Sequence, residues 1–449
     1  MNKYRTVIKT NKFPQLTRRV FTTADGLKSD NVTAMRFDNN GVLFVGTDKG
    51  LARFDGEKFS PVAIGAKDPS ISMVYFNEKN HMFVGVGNSM FEFDGKKKVS
   101  EKKFSSKLVD VKVDLDGATW ILTESVLYKL GENGYDIEIG VPGKGSCLAV
   151  YKNNKVYVGT KDGGLHALVG KRWHWSELME GVTGILSNTI TCLYIDPVGS
   201  IWVGTDKGLC VYDDNSYWLD HSKIDGLPEA HITGMAIAEN GDKYFSTTTG
   251  LIHQHNGRLS YYGYKRWLPS PNATGVAISP DGSVCVSTDK GISLFETKMM
   301  SLREKAAILR AQTEKYNVRY GYVIDRDLEH EGVLSTDEGH ILASDNEGLW
   351  TGLYVAALCF EYACTKDPEV RKDAHRSLLA MIRLTEITGI DGFFARAIRY
   401  ADAVDYGTGA RHEWHVTKDA EGRECEWLGE TSSDEVVGHF YCYANYFDL

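Results

Sequence analysis

The residues best equipped for chemistry gather in the last third of the chain. Two acidic pairs, Asp345 with Glu347 and Asp434 with Glu435, each precede an apolar run. Glycoside hydrolysis needs two carboxyl groups across the scissile bond, one as acid and the other as base or nucleophile, and these pairs offer them. Elimination from a uronate needs instead a base and a cation that neutralises the sugar carboxylate as charge develops. Tyr320, Tyr322, His412, His415 and His439 are candidate bases, with Arg396 or Arg399 as the cation. Asn346, Trp350, Glu413, Trp414 and Trp427 complete a set suited to sugars, because indole faces stack on pyranose rings and polar groups bind hydroxyls. Each candidate also has a plainer role. Glu347 and Glu435 read as the N3 positions of capping boxes at 344–347 and 432–435, and Asp345 and Asp434 lie where a helix dipole favours negative charge. A lone histidine is more often a packing or surface residue. His412 and His415 flank Glu413 and Trp414, but the segment reads as a loop or hairpin with no third ligand, so neither a metal nor another cofactor is expected.

Helices must position these groups. Ser301-Leu302-Arg303-Glu304 is a capping box that opens a helix to about Tyr316. A second helix covers the apolar run from Leu349 to Ala363, a third starts at Pro368 and is ended by Gly389, and a fourth runs from near Ser432 to the C-terminus. The region is expected to be all-α. Only Thr365-Lys366-Asp367 joins the second and third helices, so these are antiparallel neighbours. If all four alternate in direction, the long connections 317–343 and 390–431 emerge at one end, and the candidate residues line one cleft there. The segments at 345–352 (DNEGLWTG), 392–396 (GFFAR), 413–415 (EWH), 431–435 (TSSDE) and Gly438-His439 resemble the six-hairpin (α/α)-toroid superfamily of glycosidases and polysaccharide lyases. That resemblance implies a carbohydrate substrate. A full toroid holds several more helices than fit here, so a partial domain is expected, with another helical segment or subunit completing it.

The preceding region is a repeat. Val45-Gly46-Thr47-Asp48-Lys49-Gly50-Leu51 returns as Val203-Gly204-Thr205-Asp206-Lys207-Gly208-Leu209, with a variant at 158–165. Aligning the small residue that ends this strand marks Gly46, Gly85, Leu122, Gly159, Gly204, Ser246 and Ser287, spaced by about 40 residues as in propeller blades. Five residues ahead of each marker stands a turn residue: Gly41, Asn80, Gly117, Asn154, Gly199, Gly241 or Gly282. Asn and Gly tolerate the positive φ of tight turns, and each unit alternates as four hairpin-connected strands. The run Phe21-Thr22-Thr23-Ala24-Asp25-Gly26-Leu27 and the VGTDKGL strand resemble the two-component-regulator propeller repeat of bacterial sensor ectodomains. The resemblance covers most of 20–297 and weakens at 121–124. It implies a platform that contributes to recognition of glycan fragments. Trp120, Trp173, Trp175, Trp202, Trp218 and Trp267 could stack on sugars, although large aromatics in sheets usually pack between layers.

The expected organisation is thus a seven-bladed β-propeller over 1–298 followed by an all-α, toroid-like domain over 299–449. A formal charge of -9 without a dense basic cluster speaks against nucleic acid as a partner. No segment reads as a signal peptide or membrane span, and eight cysteines without CxxC pairs suit a reducing compartment. A cytoplasmic location is therefore expected, with a removed leader and export kept open. The function expected is glycoside hydrolysis by the helical domain. The alternatives are a uronate lyase and a non-catalytic glycan-binding sensor or adaptor built on the propeller.

Overall fold

The structure, a computed structural model, describes residues 11–114, 116–131, 134–151, 155–174, 185–212, 218–220, 227–264, 266–327, 340–342, 346–400 and 414–449. It divides into two compact units, one spanning Leu16–Lys298 and the other joining 299–449 with residues 11–15.

The first unit is built from seven four-stranded antiparallel sheets. Six are consecutive meanders, at 32–62, 71–103, 108–140, 145–174, 190–220 and 232–263. The seventh combines strands of 273–300 with the N-terminal strand Phe13–Phe21 as its outermost member. The first strands of successive sheets contact one another in chain order, and that of the seventh returns to that of the first, closing a ring. Pairing the N-terminal strand with strands from 273–300 in one sheet ties the ring closed, and only the short outer edges of the separate sheets remain. The N-terminal strand was not foreseen in this role.

Why these residues make this ring is visible at the repeat markers. A Cβ on Gly46 would lie 2.5 Å from the side chain of Ile71 on the next sheet, and on Gly204 it would lie 2.9 Å from Ile232. The sheets pack closely because one side of each contact is small. At Leu122 the sizes are exchanged: the facing residue is Gly145, where a Cβ would come within 3.2 Å of Leu122. The turn residues also meet their expectation, with φ of +79° at Gly41, +61° at Asn80 and +81° to +98° at Gly117, Gly199, Gly241 and Gly282. Asn154 lies outside the described residues.

A feature without a sequence expectation recurs in all seven sheets. The register of the first two strands slips once, immediately after Val32, Ile71, Leu108, Gly145, Ile190, Ile232 and Ala273. In four sheets the bulged residue carries a hydroxyl that donates to the next sheet: Thr33 to Ile71 O at 2.5 Å, Ser146 to Ile190 O at 2.6 Å, Thr233 to Ala273 O at 2.6 Å and Thr274 to Val32 O at 3.2 Å. The bulge re-aims one polar side chain across the gap between sheets.

The tryptophans take the plainer role wherever they are described. Trp120 and Trp202 are buried, and their indole N–H groups donate to Asp114 at 2.9 Å and Asp196 at 3.0 Å. Trp173 and Trp267 pack half-buried against core clusters. Trp175 and the side chain of Trp218 lie outside the described residues. Stacking platforms for sugars are thus not built from these core residues.

In the second unit the helices are α1 (Leu302–Tyr316), α2 (Glu347–Thr365), α3 (Pro368–Glu386) and α4 (Ser433–Asp448). Ser301 and Glu304 form the expected capping box of α1, and Asp367 caps α3, whose first residue is Pro368. Two expectations are corrected. The unit is not all-α: it also holds the short pairs Val318–Arg319 with Tyr322–Val323 and Asp325–Asp327 with His340–Leu342, and a three-stranded sheet of Ala397–Tyr400, Glu424–Leu428 and Trp414–Lys418. Its long connections contain backbone that pairs with itself, which the helical periodicity of the flanking segments hid. Nor do the two later capping boxes form. The N-cap of α2 is Asn346, and neither Asn346 nor Ser432 makes a side-chain cap bond. Glu347 therefore opens its helix and Glu435 is turned inward to another partner.

Candidate functional site

The N-terminal turns of α2 and α4 meet. A Cβ on Gly348 would lie 2.1 Å from Glu435 Oε2 and 3.1 Å from His439 Nε2, and on Gly352 it would lie 2.4 Å from the Gly438 carbonyl oxygen. The two helices run parallel, and glycines at both positions of α2 and at Gly438 let their backbones touch. Helix α3 runs the other way against α4, with His375 bonded to Tyr446 and Thr385 to Tyr443. Both long connections consequently lead to one end, as the alternation of directions requires.

At that end Glu347, Glu435 and His439 are all fully buried. Glu435 Oε2 accepts from the Leu349 amide at 3.1 Å, and its Oε1 has no hydrogen-bond partner among the described residues. Burial pushes the Glu435 carboxyl up to about 7, against the weaker opposing pull of the Leu349 amide and Arg396. His439 lies under Phe394, rings 4.4 Å apart, and its Nδ1 is 3.1 Å from the Tyr443 hydroxyl. That hydroxyl donates to Met381 O, so His439 Nδ1 carries the proton and Nε2 is left as a buried acceptor with no partner among the described residues. Burial pushes its pKa down to about 4. Burial thus disfavours the charged form of both Glu435 and His439 beside one glycine. Such a carboxyl has the acidity of a general acid but no surface from which to reach a substrate.

The remaining candidates are spread over several places. Asp434 is exposed next to Glu435; a hydrogen bond from Ser432 holds its carboxyl below the ordinary range. Arg396 donates to the Glu430 carbonyl at 2.8 Å nearby. On the three-stranded sheet His415 stacks on buried Trp427, rings 4.2 Å apart, and Arg399 lies 4.1 Å from the ring centre of Trp414 while donating to Glu426 at 2.5 Å. Tyr320 packs on Tyr400, ring centres 4.6 Å apart, and buried Tyr322 lies 6.0 Å from the Arg383 guanidinium. Asn346 and Trp350, both partly exposed, are the N-cap and first turn of α2. Asp345, His412 and Glu413 lie outside the described residues. Phe394, Arg383 and the glycines of α2 and α4 were missed as site residues; the GxxxG spacing of Gly348 and Gly352 was the available signal for a close helix crossing.

A groove of about 360 Å³ lies in the first unit between its first and seventh sheets. Its wall holds Arg19, which makes two bonds to the Glu296 carboxylate at 2.9 and 3.1 Å and one to the Gly56 carbonyl at 2.9 Å. The guanidinium also sits 5.2 Å from the ring centre of Phe21. These contacts make it a clasp for ring closure. Among the described residues no helix is long and apolar enough to cross a membrane, and all eight cysteines are free.

The family described as the two component regulator propeller matches residues 184–207. No curated protein matches the sequence. Among solved structures, the chain is similar to the extracellular domain of a B. thetaiotaomicron protein described as the hybrid two component system BT3049, at 16% identity and a TM-score of 0.55, over 74% of this chain and 46% of that one. A second such domain, from BT4673 of the same organism, aligns at 20% identity and a TM-score of 0.52, over 63% of this chain and 39% of that one. The chain therefore spans less than half the length of these sensor domains. A virginiamycin B lyase from Staphylococcus aureus aligns at 10% identity and a TM-score of 0.52, over 64% of this chain and all of its own. At these identities the likeness is one of fold, and it is the fold of a propeller, with a regulator-type repeat at its fifth sheet.

Proposed function

We propose that this chain is a non-catalytic recognition module of the sensory-ectodomain type, a seven-bladed propeller joined to a helical unit, with a carbohydrate as its ligand. The observation that carries this reading is the closed ring of seven sheets, whose fold is that of the extracellular domains of two hybrid two-component systems. The burial of Glu347, Glu435 and His439 supports the non-catalytic part, since hydrolysis needs two carboxyl groups facing a sugar across open space. An exported location belongs to the same proposal.

A second reading, hydrolysis through the helical unit, draws on one observation, the Glu435 carboxyl raised to about 7 with Asp434 beside it. One experiment separates the two. The full chain is titrated calorimetrically with a panel of neutral and acidic oligosaccharides, and each mixture is assayed for reducing ends and for the ultraviolet absorbance of unsaturated product. Binding without turnover is expected. Reducing ends lost in Glu435→Gln would establish the hydrolase, absorbance would establish a lyase, and absence of any binding would overturn the carbohydrate ligand.

A further inference from the structure

The sixth sheet carries a cluster that neither the repeat nor the helical site uses. Its strands Lys243–Thr247 and Gly250–His255 pair so that Lys243 faces Gln254 and Tyr244 faces His253. Side chains alternate along a strand, so His253 and His255 share a face, and Asp242, just ahead of the first strand, meets them from across the hairpin. One carboxylate oxygen and one nitrogen of each ring lie within 4.8 Å of one another. Asp242 Oδ2 is 3.2 Å from His253 Nε2, and Oδ1 is 2.5 Å from His255 Nδ1.

The rings are braced from behind. His253 stacks on Tyr244 with ring centres 4.3 Å apart and planes 3° from parallel. Asn256, at φ +47°, places its amide 2.9 Å from His255 Nε2. The second sheet offers a comparison, since His81, Glu92 and Asp94 occupy the corresponding register there. That sheet has one histidine and two acids, with His81 3.0 Å from Glu92 and 4.0 Å from Asp94, which is an ion-pair arrangement. The sixth sheet reverses the composition. Two imidazoles converge on one carboxylate, so three potential ligand atoms lie close together.

The geometry points to a binding site for a divalent transition-metal ion of the zinc class, held by Asp242, His253 and His255. Two nitrogens and one carboxylate oxygen suit zinc, nickel or cobalt better than calcium or magnesium, which prefer all-oxygen shells. Ligand bonds of about 2.0–2.2 Å are reached by small rotations that open the short contact between Asp242 and His255 and turn both ring nitrogens toward the ion. Each ring must present a lone pair to the ion, so the hydrogen bonds that both now make to Asp242 are given up and the remaining ring proton sits on the other nitrogen, His253 Nδ1 or His255 Nε2. The Asn256 amide then turns its oxygen to accept from His255 Nε2. The His255 side chain is 56% exposed, which leaves the outer coordination positions open to water. Arg258 is the register partner of His255 on the next strand, and its positive charge there would oppose occupancy.

The test uses the full chain without an affinity tag, titrated with zinc chloride by calorimetry and followed by thermal melting. One ion per chain is expected, with a raised Tm, and neither effect with calcium or magnesium. Asp242→Asn and His253→Ala should each weaken binding about tenfold or more, whereas His81→Ala should leave it unchanged. Arg258→Ala should tighten it. Zinc binding that survives the Asp242→Asn/His253→Ala double variant, or no binding by the wild-type chain, would overturn the site. If a variant does not fold, the visible spectrum of cobalt(II) bound to wild-type protein decides: imidazole-ligated bands support the site, and the spectrum of the hydrated ion alone refutes it.

Discussion

The ring repeats a buried polar contact from sheet to sheet, whereas the helical unit has no second copy of its own. In the ring, Thr47, Thr123, Thr160, Thr205, Thr247 and Thr288 are fully buried, and each hydroxyl donates across its turn to a carbonyl 2.8–3.0 Å away. The same bond recurs from sheet to sheet, and the second sheet dispenses with it, since Val86 pairs with Ile71 where the others have threonine. In the helical unit, Glu435 Oε1 and His439 Nε2 are buried with no bond among the described residues, at a crossing that has no second copy. The ring also buries side-chain atoms without a bond among the described residues, at Asp48, Ser72, His166 and Asp206, but its threonine bond is made six times, so the loss of one is local. In the helical unit two such atoms meet the close backbones of Gly348, Gly352 and Gly438 at one contact, and there a single change is felt throughout.

The sharpest way to break that contrast is to enlarge the crossing. In Gly352→Ala the new Cβ would lie 2.4 Å from a backbone oxygen that cannot move aside, so the helical unit should lose about 3 kcal/mol. Urea denaturation followed by helical circular dichroism measures it; an unchanged midpoint would show that the helices are not in contact there.

A second measurement concerns pH. The Glu435 carboxyl, ordinarily near 4.5, is raised to about 7 when folded, so its contribution to stability is complete below 4.5 and is lost as pH rises through 7. His439, ordinarily near 6.5, is lowered to about 4, so its contribution is present above 6.5 and lost as pH falls through 4. Glu435→Gln cancels only the first. Relative to wild type, that variant should gain about 2 kcal/mol between about pH 5 and about pH 8. A difference that stays flat with pH would mean that Glu435 is charged in the native state.

Smaller effects are expected in the ring. Thr205→Val copies what the second sheet already has, and should cost about 1 kcal/mol, with the loss read from the fluorescence melting transition. Gly117→Ala places a Cβ in open space but on a residue at φ +81°, and should cost about 1 kcal/mol or slightly less. If either ring substitution proved as damaging as Gly352→Ala, the distributed character of the ring would be refuted.

The ring was legible because its signals are local and repeated. A positive φ at Gly41 or Gly282 needs only the turn itself, and a small residue at Gly46 or Gly204 answers to one neighbour that recurs at the same register. The helices were legible for the same reason, down to the Ser301 cap of α1. The candidate site was less so. Asp434 and Glu435 are adjacent in sequence and look equivalent, yet one is exposed with its carboxyl held below the ordinary range and the other is buried with its carboxyl pushed up. The strand Phe13–Phe21 carries no copy of the repeat, and its pairing partner lies at the other end of the ring.

What the amino-acid sequence alone determined is the repeat, its turns and the four helices, because hydrophobic period, glycine at positive φ and capping residues act over a few positions. Only the tertiary structure decided that Glu435 and His439 face Gly348 away from solvent, that short strands fill the long connections, and that Asp242, His253 and His255 converge. Those outcomes depend on which surfaces are brought together and how much water is left between them. Burial and pairing of charge are properties of the packed chain, and no short stretch of residues carries them.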